Sequence, residues 1–319
     1  MLQDASLEQR LVRVLAIRTA AIDTLCFDLA AADRRPLVPF TPGAHIDVQV
    51  PNGLVRQYSL CGDARDASRY KIAVKREPDG RGGSRSMHED LEEGSAIGIL
   101  EPRNHFPLAD DAKHSLFIAG GIGITPIYAM IQALDAAGGS WELHYCARSQ
   151  AHAAFYPELV ALGGRRVTSW FAEQPLLDAR TLLHDIRDDT HVYCCGPTGL
   201  MGSVKQATAH WPAGRIHFEY FAAPARNDAP NRHFEIELRS AGMVLEVPPE
   251  RTILAVVREH GIDVPSSCEE GVCGTCETRV LEGECEHRDM LLPEAEAAAN
   301  TSMMICVSRA RSHRLVLDL

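Results

Sequence analysis

The feature that most constrains this chain is a run of cysteines near its C-terminal end. Cys268-Glu269-Glu270-Gly271-Val272-Cys273-Gly274-Thr275-Cys276 is followed far downstream by Cys306. The spacing C-x4-C-x2-C with a distant fourth cysteine is that of plant-type [2Fe–2S] ligands. Two irons need four thiolates. One loop supplies three of them only if its backbone wraps closely around the cluster, and Gly271 and Gly274 permit that approach with positive φ angles. The fourth must come from another element, and Met303-Met304-Ile305-Cys306-Val307 reads as a strand. Four cysteines can also hold zinc. Zinc sites, however, usually pair two C-x2-C knuckles, so Cys268, Cys273, Cys276 and Cys306 are assigned to a cluster. Cys26, Cys61, Cys146, Cys194 and Cys285 show no partner spacing and read as buried thiols in a reducing compartment.

A chain of 319 residues suggests two or three domains. Its net charge of −11 disfavours nucleic acid as a partner, because phosphate contacts need a basic surface. The same charge suits a protein partner with a basic docking face. Met1 to Arg13 has no apolar core of signal-peptide length. An uncharged stretch from Ser115 to Leu134 is long enough to cross a bilayer. It is interrupted by Gly120-Gly121-Ile122-Gly123-Ile124-Thr125-Pro126, which reads as strand, turn and helix start. No membrane partner is therefore expected, and a cytoplasmic location is.

Between Leu11 and Leu100, short alternating runs are split by Pro, Gly and Asp. His45 to Val50, Val55 to Leu60 and Tyr70 to Lys75 are examples, and they predict an antiparallel barrel. From His114 the pattern changes. Strands over 115–119, 141–146 and 191–195 alternate with helices over 126–137 and 157–162, which predicts a parallel sheet covered on both faces. Ala222 to Arg232, rich in Pro, Ala and polar residues, reads as a linker. A hairpin over 234–238 and 243–247 and a helix over 252–260 follow.

Several motifs carry chemistry, each weak alone. Arg56-Gln57-Tyr58-Ser59-Leu60 ends a strand. A second strand ending in Lys75 leads to Gly80-Arg81-Gly82-Gly83-Ser84, which opens a helix running to Leu91. Free N–H groups at a helix start, a hydroxyl and an arginine fork can cradle a phosphate; a flexible capped loop is the alternative. The glycine turn at 120–123, with Pro126 in the first helical turn, suits a nucleotide lying against backbone. Cys195-Gly196-Pro197-Thr198-Gly199-Leu200-Met201 repeats that arrangement after another strand.

Taken in order, R-x-Y-S-L, R-G-G-S, G-G-x-G-x-T-P, C-G-P-x-x-x-M and C-x4-C-x2-C…C resemble the phthalate dioxygenase reductase family, with vanillate O-demethylase reductases in the same group. The resemblance covers nearly the whole chain. It implies an FMN-binding antiparallel β-barrel (1–108), an NAD-binding α/β domain with a parallel sheet (109–224), a linker (225–233) and an α+β β-grasp ferredoxin domain (234–319). It implies that Arg56, Tyr58 and Ser59, with Lys75 nearby, hold the flavin ring and ribityl chain, and that Arg81, Gly82, Gly83 and Ser84 hold its phosphate. Gly120, Gly121, Gly123, Thr125 and Pro126, with Cys195, Gly196, Pro197 and Met201, would hold the nicotinamide nucleotide, Thr125 and Cys195 lying nearest the reacting rings. Phe221 resembles the aromatic that covers the flavin, with Tyr220 as its rival. Ala147-Arg148-Ser149-Gln150 falls where adenosine-ribose contacts are expected. Its Arg and Ser suit a 2′-phosphate and no acidic residue is evident there, but the family points to NADH.

NADH gives two electrons together and a [2Fe–2S] cluster accepts one, so a flavin that does both is needed between them. Hydride transfer from nicotinamide C4 to flavin N5, then two single-electron steps, needs placement and dryness rather than a strong acid or base. His105 is assigned to a turn or to packing. The reading is a monomeric reductase component serving a Rieske-type aromatic oxygenase or demethylase. Its alternatives are a reductase for another acceptor, such as a cytochrome, or a non-catalytic redox sensor.

Overall fold

The computed structural model describes residues 9–173, 175–223 and 230–319. Its contacts divide the chain into two units, Met1–Glu219 and Tyr220–Leu319. Of the expected linker, residues 225–229 lie outside the described residues.

The first unit begins with β1 (Arg10–Ala21), β2 (Thr24–Ala31), β3 (His45–Gln49), β4 (Val55–Ser59) and β5 (Tyr70–Lys75), then α1 (Gly83–Glu89) and β6 (Ala96–Ile99). All pairings are antiparallel, in the order β4-β3-β6-β1-β2-β5. Bulges in β1 at Val14/Ala16 and Thr19/Ala21 bend the sheet. An isolated bridge from Leu60 to Ile72 then joins the two end strands into a barrel. Val12, Phe27, Leu29, Ile46, Val48, Leu60 and Ile72 fill it. The helix expected to reach Leu91 ends two residues earlier, where Asp90 N–H turns back to Ser86 O.

The same unit continues with β7 (His114–Gly120), α2 (Ile124–Ala136), β8 (Ser140–Ala147), α3 (Tyr156–Gly163), β9 (Val167–Phe171), α4 (Ala179–Leu182), β10 (Thr190–Cys195), α5 (Thr198–Ala207) and β11 (Ile216–Glu219). The sheet is parallel throughout, ordered β11-β10-β7-β8-β9. From β7 the chain builds outward through β8 and β9, then returns to lay β10 and β11 on the other side. The reversal lies between β7 and β10, and open α/β sheets bind ligands at the C-terminal ends of strands at such a point.

The second unit holds β12 (Phe234–Leu238), β13 (Met243–Val247), α6 (Ile253–Glu259), β14 (Glu277–Glu282), β15 (Cys285–Glu286), α7 (Glu294–Ala299), β16 (Ser302–Met304), β17 (Arg309–Ala310) and β18 (Arg314–Leu317). A mixed sheet ordered β13-β12-β18-β14-β16 packs its apolar side on α6 through Ile236, Leu238, Ile253, Val257, Leu315 and Leu317. This is the expected mix of helix and sheet in a ferredoxin-like domain. Arg309, 4% exposed, lies over the Phe234 ring and donates to the carbonyls of Arg232, Pro248 and Arg251. One difference from the sequence reading matters. The strand expected over 303–307 stops at Met304, and Cys306 lies in a turn. Val307 and Ser308 N–H both fold back to Met304 O.

Thr252 caps α6 by accepting from Ala255 N at 3.1 Å. Thr252→Ala should lower the second unit's stability by about 1 kcal/mol, the usual cost of a lost N-cap, read from the denaturant midpoint at an unchanged slope.

Candidate functional site

In the first unit, the two glycine turns meet backbone to backbone. A Cβ on Gly123 would come within 2.3 Å of Cys195 O, and one on Gly196 within 2.8 Å of the Gly120 Cα. A Cβ on Gly120 would strike Pro197 Cδ at 2.5 Å. These three glycines let the ends of β7 and β10 touch. Gly121 differs: its φ of +54° and the open space beside it leave bare backbone facing outward. Thr125, 2% exposed, spends its hydroxyl on Ile122 O at 2.9 Å and so closes the first turn of α2 around Pro126. Met201 is buried with its Sδ 3.5 Å from Cys194 Sγ, pinning α5 to β10.

Cys195 is fully buried, and burial pushes its thiol well above the ordinary range. A thiol held neutral is a packing group and not a nucleophile. Its Sγ lies 4.0 Å from a carboxylate oxygen of Glu219 at the end of β11. Burial raises the Glu219 carboxyl to about 8, against the opposing pull of the Ser59 hydroxyl that donates to it. Glu219 thus links the serine that ends β4 to the cysteine that ends β10. It belongs to none of the sequence motifs described above. The available signal was a lone charge in Phe218-Glu219-Tyr220-Phe221.

The barrel motifs also converge. Arg56 on β4 runs across Gly83, where a Cβ would come within 2.8 Å of its side chain. Gly82 takes φ 91° as the N-cap of α1, with no side chain capping the helix. Asn52, a second residue missed from sequence, donates through Nδ2 to Gly82 O at 3.2 Å. Its own N–H donates to Ser86 Oγ at 3.1 Å. Ser84 Oγ accepts from Glu77 N at 3.0 Å, and Glu77 pairs with Lys75 at 2.6 Å, so the end of β5 is tied to this loop. Arg81 is exposed at its rim. Tyr58 is half-buried against the barrel core, and Ser59 is 5% exposed. Phe221 belongs to the second unit, where it is 45% exposed.

In the second unit the loop brings its thiols together in pairs. Cys268 and Cys273 share one hydrogen bond, and Cys276 and Cys306 share another. Within each pair the proton is held unequally: Cys273 is lowered to about 6 through its bond to Cys268, while Cys268 is raised by the same contact. Backbone N–H groups aim at sulfur, Glu270 and Val272 at Cys268, Thr275 at Cys273 and Gly271 at Cys306. Positive φ at Glu269, Gly271 and Gly274 turns them inward. Among the described residues, no three His, Cys, Asp or Glu side chains converge on one metal position. Two pairs fit two bridged irons, each needing two thiolates, better than one tetrahedral zinc.

Because the folded chain holds the Glu219 proton more tightly than the unfolded chain, its contribution to stability is fully present below about pH 4.5 and is lost as pH rises to about 8. Glu219→Gln should flatten that decline in urea unfolding; an unaltered slope would count against the buried carboxyl.

The comparisons with known proteins agree with this geometry. Residues 236–311 match a 2Fe-2S iron-sulfur cluster binding domain and residues 117–206 an oxidoreductase NAD-binding domain. The chain is 44% identical to the phthalate 4,5-dioxygenase oxygenase reductase subunit of Pseudomonas putida, covering 97% of this chain and 96% of that protein. It is 45% identical to the vanillate O-demethylase oxidoreductase of Pseudomonas sp. (strain HR199 / DSM 7063), covering 97% and 99%. Among solved structures it matches phthalate dioxygenase reductase, described as modular for electron transfer from pyridine nucleotides to [2Fe–2S], at 42% identity and a TM-score of 0.73 over 98% of each chain. With such identity over nearly its full length, the chain belongs to the phthalate dioxygenase reductase and vanillate O-demethylase reductase family of electron-transfer oxidoreductases.

Proposed function

We propose that this chain is the reductase component of a two-component, Rieske-type aromatic oxygenase or demethylase, moving electrons from NADH through FMN and a [2Fe–2S] cluster to that partner. The carrying observation is that one chain holds both the paired thiols of a one-electron centre and, in its other unit, a nucleotide cleft beside a barrel. Bound in the barrel, a flavin supplies the ability to take electrons in pairs and release them singly.

The residues divide the work. Arg81, Gly82, Gly83 and Ser84 would hold the flavin phosphate, with Arg56 lying across Gly83 and Asn52 bracing the turn. Arg56, Tyr58 and Ser59 would hold the ring and ribityl chain along β4, which ends its sheet, with Lys75 nearby. The turns at Gly120, Gly121, Gly123, Thr125 and Pro126 and at Cys195, Gly196, Pro197 and Met201 would seat the nicotinamide nucleotide; Phe221 would cover the flavin ring. No group here is arranged as a strong acid or base for bond cleavage, which suits chemistry limited by the placement of rings and exclusion of water. The chain is taken to act as a monomer. The partner's aromatic substrate never touches it.

Cys276→Ser should abolish cluster assembly while NADH still bleaches the flavin at its normal rate, followed by stopped-flow absorption. A variant that no longer reduces its flavin would break the proposed order of carriers. Arg81→Ala should weaken FMN retention by about tenfold, corresponding to a charge-assisted phosphate contact of about 1.4 kcal/mol. An unchanged affinity by fluorescence titration would remove Arg81 from the site.

A further inference from the structure

Electron transfer through this chain has a proton left over. NADH gives NAD⁺, two electrons and one proton, and an iron–sulfur cluster accepts electrons without protons. Each turnover must therefore release one proton from the barrel cleft to water. We propose that it leaves through the chain's own side chains, from the Ser59 hydroxyl to His45 and from His45 to the exposed His105. This inference rests on the flavin reading given above.

The placement follows from the β3–β4 ladder. His45 pairs with Ser59, and Asp47 with Gln57. On its other side His45 exchanges both backbone hydrogen bonds with Arg103, N–H to O at 2.9 Å and O from N–H at 3.0 Å. With its backbone groups committed there, its pairing with Ser59 is of the close, non-hydrogen-bonded kind, in which side chains sit next to each other on one face. Ile46 and Val48 on the opposite face fill the barrel. His45 itself is 6% exposed, and its Nε2 has no hydrogen-bond partner. Its ring centroid lies 5.6 Å from that of His105, which reaches solvent. Asp47 pairs with Arg103 beside them.

Ser59 has two polar neighbours, Glu219, to which its hydroxyl donates, and His45, paired with it across β3 and β4, and their charge states separate their roles. Glu219, raised to about 8, already carries a proton at neutral pH and cannot accept another. His45 is lowered to about 3, by burial first and then by Arg103 and His105, so it stands neutral with a nitrogen able to accept. A neutral imidazole relays without holding charge, taking a proton on one nitrogen as it gives one up from the other. His45 thus acts through Ser59 as a positioning and relay residue.

The test uses the flavin-loaded chain with its cluster, reduced anaerobically by NADH and reoxidised by excess ferricyanide in a stopped-flow instrument, with a pH-indicator dye reporting proton release. His45→Gln should leave FMN affinity of the flavin-free chain and the isotope effect from 4-deuterated NADH unchanged. It should slow reoxidation and dye response together by about tenfold or more, the scale of a lost proton-transfer group, enlarge the solvent deuterium effect, and be rescued by added imidazole. His105→Ala, on the surface, should show the same delay and serves if His45→Gln fails to retain flavin. Wild-type proton release in a flavin-loaded variant overturns the exit alone. A wild-type chain that binds no flavin overturns the flavin reading and the exit with it.

Discussion

The backbone contact between the turns after β7 and β10 governs the first unit. With no side chains on Gly120, Gly123 and Gly196, two parallel strands end against each other. Their neighbour β11 then delivers Glu219 to the same level, where it meets Ser59 from the barrel and Cys195 from the sheet. A methyl group on any of the three glycines would drive into backbone or a proline ring. In a close-packed interior that costs on the order of 1–3 kcal/mol or forces the strands apart. The barrel and the nucleotide sheet meet at one cleft because the backbone there is bare.

The cluster-binding loop follows a related principle in the second unit. Its positive φ angles turn N–H groups toward sulfur, and the departure of Cys306 from the strand that carries Met303 and Met304 brings the fourth thiol into the pair with Cys276. Hydrogen bonds from amide to sulfur stabilise the more negative, reduced cluster and so tune its potential. Each unit therefore presents turned backbone at its candidate site.

Much of this was legible in the sequence. Cysteine spacing singled out the four thiols that the structure brings together in two pairs, because the number of intervening residues directly limits which thiols one loop can present. Alternation and glycine turns gave the antiparallel barrel and the parallel sheet. What stayed hidden depends on pairings across long sequence distances. Glu219 gains its meaning only when β11 is laid beside β10, and His45 only when β3 is registered against β4 with Ser59 opposite. Cys26 and Cys61 show no spacing signal, yet the barrel brings their thiols into a shared hydrogen bond. The strand expected over 303–307 ends at Met304, because an apolar run carries no mark of where it must turn.

The whole electron path depends on two different electron carriers being present in one polypeptide. The visible spectrum of the purified chain, recorded anaerobically before and after NADH, tests this most directly. Overlapping flavin and iron–sulfur bands that fade together on addition are the predicted result. A protein that stays colourless after careful reconstitution with FMN, iron and sulfide, or that carries zinc on its four cysteines, would contradict it.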